Sequence, residues 1–188
     1  MILNTGCRTD IPAYFSEWFM NRVREGYVLT RNPYRADQVL KYRLDPKVVD
    51  ILCFCTKNPK PMLPHIPELD KFRQFWFVTW TPYGKEIEPH VPDKSAVLES
   101  IRSLSAAVGA KAVGWRYDPI FLTEKYDVDF HLKAFEAMAA QLRGLIGSCV
   151  ISFIDLYAKT KRNFPAARAV TDDEQRLLRT RYVCSRRR

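Results

Sequence analysis

Five short apolar runs, each followed by charged or polar residues, constrain the fold of this chain more than any other feature. They begin at Ile2, Ile51, Phe75, Ala112 and Cys149. Apolar runs of this length are typical of strands that are buried on both faces of a parallel sheet. Helical patterns separate the runs, so strands alternate with helices along the chain. This alternation predicts an α/β fold with right-handed crossovers.

The segments between the runs predict how far the sheet extends. Apolar residues recur at helical spacing within residues 13–24, 97–108 and 130–142, and a glycine closely follows each of these segments. Residues 27–42 instead predict a hairpin. A complete eight-unit barrel needs about 250 residues, whereas this chain has 188. We therefore predict a partial (β/α) barrel of five to six parallel strands with a hairpin insertion after the first helix.

The positive charge is concentrated near the C-terminus. The net charge is +9, but residues 159–188 carry ten Lys/Arg and three Asp/Glu, a balance of +7, which leaves +2 for the rest of the chain. We predict a barrel domain over residues 1–164 and a basic tail over residues 165–188, which we interpret as truncated or non-native sequence. Binding of nucleic acid through this tail is an alternative function, although a basic tail alone is an unspecific signal.

The sequence also predicts the compartment. The N-terminus lacks the basic start and apolar core of a signal peptide, and no apolar stretch approaches the roughly 20 residues of a membrane helix. The five cysteines are an odd number, which favours free thiols in a reducing environment. We expect a cytoplasmic protein that does not enter a membrane.

The polar residues that follow the five runs are the candidate functional residues, because ligands of α/β proteins bind at the carboxyl ends of the strands. The predicted ligand-binding residues are Arg8, Lys57, Asn58, Arg116, Lys159 and Lys161. Cations predominate among them, so we expect a small anionic or nucleotide-like ligand. The predicted catalytic residues are Asp10, Tyr83, Asp118 and Asp155. In an alternative interpretation, the arginines and aspartates only pair with one another to satisfy buried charge.

A second alternative is a metal- or acid–base-dependent lyase or hydrolase that uses Asp10, Asp118 and Asp155, since carboxylate oxygens also bind divalent cations. The three histidines follow none of the predicted strands. The sequence contains no phosphate-binding glycine loop, nucleophile elbow or zinc-protease motif. No metal site is otherwise predicted.

Several segments, taken in order, resemble the DUF1848 family of uncharacterised bacterial proteins. They are Arg8-Thr9-Asp10-Ile11-Pro12-Ala13, Ser16-Glu17-Trp18-Phe19-Met20-Asn21-Arg22, Thr56-Lys57-Asn58-Pro59, Thr81-Pro82-Tyr83-Gly84-Lys85, Trp115-Arg116-Tyr117-Asp118-Pro119 and Ser152-Phe153-Ile154-Asp155-Leu156-Tyr157. The resemblance covers roughly residues 1–164. It implies a TIM-barrel-like domain and, in full-length relatives, a C-terminal cysteine cluster. That cluster is similar to the site of radical S-adenosylmethionine enzymes, in which thiolates hold a 4Fe-4S cluster.

This chain departs from the family pattern at its C-terminal end. Residues 165–188 contain one cysteine, Cys184, and no three cysteines have the spacing of a cluster site. We therefore expect no cofactor in this chain, although the resemblance implies a 4Fe-4S cluster and S-adenosylmethionine for full-length relatives. The expected function is a barrel scaffold that keeps the ligand-binding rim. Apolar surface exposed at the unfinished barrel edge would favour self-association.

Overall fold

The computed structural model of the chain describes residues 1–6 and 8–185. The strands are β1 (Ile2–Asn4), β2 (Tyr27–Asn32), β3 (Arg35–Arg43), β4 (Ile51–Thr56), β5 (Gln74–Thr79), β6 (Val113–Ile120) and β7 (Ser148–Phe153). The α-helices are α1 (Ile11–Tyr14), α2 (Ser16–Glu25), α3 (Ile66–Leu69), α4 (Lys94–Val108), α5 (Val128–Gln141), α6 (Ala158–Asn163) and α7 (Asp172–Ser185). Short 3₁₀ helices lie at Lys60–His65 and Ala110–Ala112.

The five strands β1, β4, β5, β6 and β7 form one parallel sheet in that order. Strands β2 and β3 pair antiparallel in a separate hairpin after the first helical segment, which is divided into α1 and α2. The predicted α/β class and the predicted hairpin are confirmed. The described strands do not close into a barrel.

The two faces of the sheet differ in what covers them. The side chains of one face, which we call the covered face, pack with helices α2 to α5 and α7 in a single core. They belong to Leu52, Phe54, Trp76, Val78, Val113, Trp115 and Tyr117. The opposite, open face carries mostly half-buried residues, among them Cys53, Cys55, Phe75, Phe77, Thr79, Arg116 and Asp118. This division follows from strand geometry, because successive side chains point to opposite faces.

Local signals explain where the helices begin and end. Helix α2 ends at Gly26, whose φ of 77° is in the left-handed region that favours glycine. Helix α5 begins after Asp127, whose carboxylate accepts a hydrogen bond of 2.7 Å from the Phe130 backbone N–H. The sequence favours Asp93 as the N-cap of α4, but its side chain makes no capping hydrogen bond. Its carboxylate instead lies 3.3 Å from the Lys85 Nζ.

Strand β6 is longer than the sequence predicts. Pro119 follows the apolar run that begins at Ala112, and a proline there predicts the end of the strand. This prediction is wrong, because β6 continues to Ile120. The pairing register with β7 shifts between Tyr117 and Ile120, and proline is tolerated at such an irregularity since one ladder hydrogen bond is absent there.

Helix α7 joins the C-terminal segment to the core. Leu178 and Tyr182 are buried, and the Tyr182 ring stacks on Phe135 of α5 with a centroid distance of 3.7 Å. The acidic residues at 172–174 predict the start of a polar helix over residues 172–182. The helix is present, but its buried side chains make it amphipathic. The proposed domain boundary at residue 164 remains a prediction. None of the described helices has both the length and the apolar character needed to cross a membrane.

Neighbouring leucines of α7 provide a test of this packing. Leu178 is fully buried, whereas Leu177 is 45% exposed. We expect Leu178→Ala to lower the free energy of unfolding by about 2–5 kcal/mol, because it removes buried methyl groups and leaves a cavity. The control, Leu177→Ala, changes it by less than about 1 kcal/mol. Urea unfolding measures both, and equal effects would show that α7 does not pack on the core.

Candidate functional site

The parallel sheet brings the predicted functional residues to one edge, which we call the carboxyl rim. It consists of the ends of β1, β4, β5, β6 and β7 and the segments that follow them. Because all five strands run in the same direction, these segments lie on the same side of the molecule. The side chains of these segments fall into three groups. Some hydrogen-bond to other parts of the fold, some are half-exposed on the open face, and some are exposed to solvent.

Asp10 is bound within the fold. Its Oδ1 accepts a hydrogen bond of 3.0 Å from the Ala13 N–H at the start of α1, and its Oδ2 accepts one of 2.7 Å from the Lys57 backbone N–H. Oδ1 therefore caps α1, and Oδ2 connects the segment after β1 to the segment after β4. Asp10 positions Lys57, while its own oxygens are engaged by backbone donors.

Asn58 and Arg8 also contact the backbone. The Asn58 Oδ1 accepts a hydrogen bond of 3.3 Å from the Lys60 N–H, which begins the 3₁₀ helix. The Arg8 Nη1 donates to the Arg31 carbonyl at 3.0 Å, so this side chain reaches the hairpin. Arg8 also lines a groove of about 510 Å³ between β1, α2 and the hairpin.

Arg116 and Asp118 lie together on the open face. The Arg116 Nη2 donates to the Asp118 Oδ2 at 2.7 Å, and the other carboxylate oxygen accepts from the Ser152 hydroxyl of β7. The Arg116 guanidinium also lies 5.9 Å from the centre of the Phe77 ring, within the range of a cation–π interaction. Neighbours on β5, β6 and β7 thus fix the guanidinium, whose side chain is 34% exposed.

Tyr83 has turned inward. It is 2% exposed, stacks on Phe121 at 4.3 Å, and donates its hydroxyl hydrogen bond to the Pro119 carbonyl at 2.7 Å. Burial raises the pKa of the Tyr83 hydroxyl far above its usual value. The hydroxyl is thus neutral and bonded within the fold, and its predicted catalytic role has no support from this geometry.

His131 is also part of the core. Its Nδ1 and the Tyr117 hydroxyl are 2.8 Å apart, and its Nε2 lies 2.9 Å from the Phe121 carbonyl. Burial lowers the pKa of the imidazole, so the ring is neutral: Nε2–H donates to the carbonyl and Nδ1 accepts from the tyrosine. This pair connects α5 to β6 beneath the rim.

Asp155, Lys159 and Lys161 are exposed in the segment that follows β7. Asp155 lies next to the end of β7, whereas the two lysines belong to α6. The carboxylate of Asp118 contacts Arg116 and Ser152, whereas that of Asp10 contacts backbone N–H groups. Among the described residues, no group of three His, Cys, Asp or Glu side chains is placed to hold a metal ion.

Glu88 is a rim residue that the sequence did not reveal. Its carboxylate accepts from the Lys57 Nζ through Oε1, and from the Lys94 Nζ at 2.6 Å and the Thr81 hydroxyl at 2.8 Å through Oε2. The Glu88 side chain is only 8% exposed. Residues 84–92 contain no turn motif that would have predicted this placement, so only the folded structure reveals it.

The electrostatics of Glu88 agree with these contacts. Burial alone would raise the pKa of its carboxyl, but the hydrogen bonds from Lys57, Lys94 and Thr81 outweigh burial and hold this pKa below its usual value. Glu88 is therefore an ionised carboxylate between two ammonium groups.

The described cysteines do not form an iron–sulfur site. Cys53 and Cys55 lie on the open face of β4, whereas Cys149 pairs with Trp115 and so lies on the covered face of β7. Three strand spacings, about 14 Å, separate β4 from β7. A cluster needs at least three thiolates around one centre, which these residues do not provide. Cys7 and the Cys184 side chain lie outside the described part.

The charge of Glu88 predicts a pH dependence of stability. The pKa of the Glu88 carboxyl is lower in the folded chain than its ordinary value of about 4.3. Ionisation of Glu88 therefore stabilises the fold above that pH. This contribution is lost as the pH falls through the folded pKa. We expect Glu88→Gln to lower the free energy of unfolding by about 1–3 kcal/mol at pH 7. The difference from the unmodified chain should narrow below about pH 4.

Urea unfolding at a series of pH values measures this difference. The control is Glu124→Gln, which neutralises an exposed carboxylate and should change stability little at any pH. A Glu88→Gln difference that stays constant from pH 7 to pH 3 would show that the charge of Glu88 does not stabilise the fold.

Comparison with known protein families gives a match. Residues 2–186 match the family described as "Domain of unknown function (DUF1848)". No curated protein and no solved structure matches the chain. The family match covers almost the whole chain, including helix α7, so the expectation that the resemblance ends near residue 164 is wrong. The chain therefore belongs to the DUF1848 family.

Proposed function

We propose that this domain binds a small anionic, nucleotide-like ligand on the open face of the sheet, next to the carboxyl rim. The observation that carries the proposal is the fixed, half-exposed guanidinium of Arg116. One of its nitrogens contacts Asp118, and its plane lies near Phe77. An arginine held in this way presents planar donors that match a phosphate or carboxylate.

The surroundings of Arg116 suit such a ligand. Phe77 and Phe75 contact each other edge to face at 4.9 Å, and both are half-buried on the open face. An aromatic surface beside a cation suits a planar ring that carries an anionic group. Gly114 keeps this surface open, since a Cβ atom there would lie 2.9 Å from the Phe77 ring.

The pairing of Arg116 with Asp118 does not remove its capacity for an anion. The contact involves Nη2, and the structure gives no hydrogen-bond partner to the other guanidinium nitrogens among the described residues. Asp118, which also accepts a hydrogen bond from Ser152, orients the guanidinium of Arg116 and uses only one of its nitrogens. This arrangement differs from the alternative in which the arginines and aspartates only satisfy one another's buried charge.

The proposal assigns a binding role and no catalytic step. The resemblance implies that relatives with a C-terminal cysteine cluster carry an iron–sulfur group, but the described cysteines of this chain do not fit that group. A metal-dependent hydrolase or lyase that uses the three aspartates would need them to converge, and among the described residues they do not form a group that could hold a metal ion. In the described part of the basic tail, Arg168 pairs with Glu174 at 2.6 Å.

Replacement of Arg116 tests the proposal. We expect adenosine monophosphate to bind the unmodified chain and Arg116→Met to weaken this binding at least about tenfold, because a charge-assisted hydrogen bond is lost. Arg116→Lys should have an intermediate effect, since it keeps the charge but not the fork. Isothermal titration calorimetry measures the affinities.

The control is Arg102→Met on the exposed surface of α4, where the arginine side chain is 49% exposed. This variant should bind the nucleotide like the unmodified chain. Equal affinity of Arg116→Met and Arg102→Met, with both folded, would overturn the proposed function.

A further inference from the structure

Two lysines and a threonine at the carboxyl rim surround the carboxylate of Glu88. We propose that Lys57, Lys94 and Thr81 form a phosphate-binding subsite, and that the carboxylate of Glu88 occupies it until a ligand phosphate displaces it. This inference rests on the proposed function, because it supplies a second anchor for the same class of ligand. In this proposal, the Glu88 carboxylate competes with a ligand phosphate for the same donors.

The contacts of Glu88 resemble those of a bound anion. Each of its two oxygens accepts a hydrogen bond from a different ammonium group, and Oε2 also accepts from the Thr81 hydroxyl. Two lysines and a hydroxyl around one pair of oxygens form a donor set that also suits a phosphate group. The ordinary alternative is a permanent structural ion pair, and the two interpretations differ in what happens when Glu88 is removed.

The backbone that carries the three donors is anchored independently of Glu88. The Lys57 backbone N–H is bound to Asp10 at 2.7 Å, and the Lys94 carbonyl accepts a hydrogen bond of 3.2 Å from the Trp80 indole N–H. Thr81 is 1% exposed and lies two residues beyond the end of β5. The backbone positions of Lys57, Thr81 and Lys94 should therefore persist without the carboxylate, and the two lysine side chains remain free to turn toward a phosphate.

Solvent reaches the donors more easily than it reaches Glu88. The side chains of Lys57 and Lys94 are 40% and 34% exposed, against 8% for Glu88. A cavity of about 200 Å³, lined in part by Lys94 and Glu88, lies next to the ion pair. An incoming anion can thus contact the ammonium groups before Glu88 leaves.

Glu88 belongs to a short segment between the sheet and α4. Its backbone N–H and that of Ile87 both donate to the Gly84 carbonyl, at 2.9 and 3.1 Å. Glu88 thus sits on a single turn rather than within a long helix or a strand. Displacement requires only a rotation of its side chain and local movement of this turn.

The charge of the two anions decides the competition. A carboxylate carries one negative charge, whereas a phosphate monoester carries about −1.5 to −2 at pH 7 and has three acceptor oxygens. A phosphate therefore gains more from two lysines than Glu88 does. Weakly held monoanions should not displace Glu88, so the internal carboxylate would also make the subsite selective.

Removal of Glu88 tests the subsite. Inorganic phosphate is titrated into the folded full chain, with binding followed by calorimetry. We expect Glu88→Ala to bind phosphate at least about tenfold more tightly than the unmodified chain, because the internal competitor is gone. Adding Lys57→Met to this variant should abolish the gain, whereas adding Arg116→Met should leave it. Acetate, a monoanion, should bind Glu88→Ala more weakly than phosphate does.

A second variant guards against failure of Glu88→Ala to fold. Glu88→Gln keeps the volume of the side chain and loses its charge, so it should also bind phosphate more tightly than the unmodified chain. No gain in any folded Glu88 variant overturns the subsite.

A gain that depends on Arg116 and not on Lys57 also overturns it, while the proposed function stands. The converse result is also distinguishable. If the gain in phosphate affinity depends on Lys57 but Arg116→Met binds the nucleotide like the unmodified chain, the proposed function is overturned and the subsite stands.

Discussion

The packing of helices on one face of the parallel sheet is the constraint on which the rest of this structure depends. Alternate side chains of each strand are committed to the helical core, as Trp76 and Trp115 are, so the other alternate set must lie on the open face. Arg116 and Asp118 are on that face because they alternate with Trp115 and Tyr117. The same geometry that builds the core therefore presents charged groups beside the carboxyl rim.

Carboxylates organise this rim. Asp10 joins two strand ends through backbone hydrogen bonds, Asp118 holds Arg116 and Ser152, and Glu88 joins Lys57 to Lys94. Charges removed from water are stable only when they are paired and hydrogen-bonded. The acids thus fix the positions of the cations, which are the groups that can meet a ligand. The sequence analysis assigned catalytic roles to the aspartates and ligand binding to the cations. In the fold, the acids instead hold the cations in place.

The sequence predicts features that depend on local pattern, and it fails where distant contacts decide. The apolar runs predict strands because hydrophobic periodicity is a local pattern. The glycine after α2 predicts the helix end because a left-handed backbone conformation there favours glycine. Tyr83 follows β5 and looks like a rim residue, yet contacts with Phe121 and the Pro119 carbonyl turn it inward. Glu88 lies in a segment without a recognisable turn, so its lysine partners become evident only in three dimensions.

The most direct test of a ligand site at the carboxyl rim is to follow backbone amide NMR shifts during titration with adenosine monophosphate. The account predicts that the shifted amides cluster at the ends of β4, β5, β6 and β7, around Lys57, Thr81, Arg116 and Ser152. Amides at the opposite edge of the sheet, such as Gly147, should not change. Shifts confined to α7, or an absence of shifts at Arg116 and its neighbours, would contradict it.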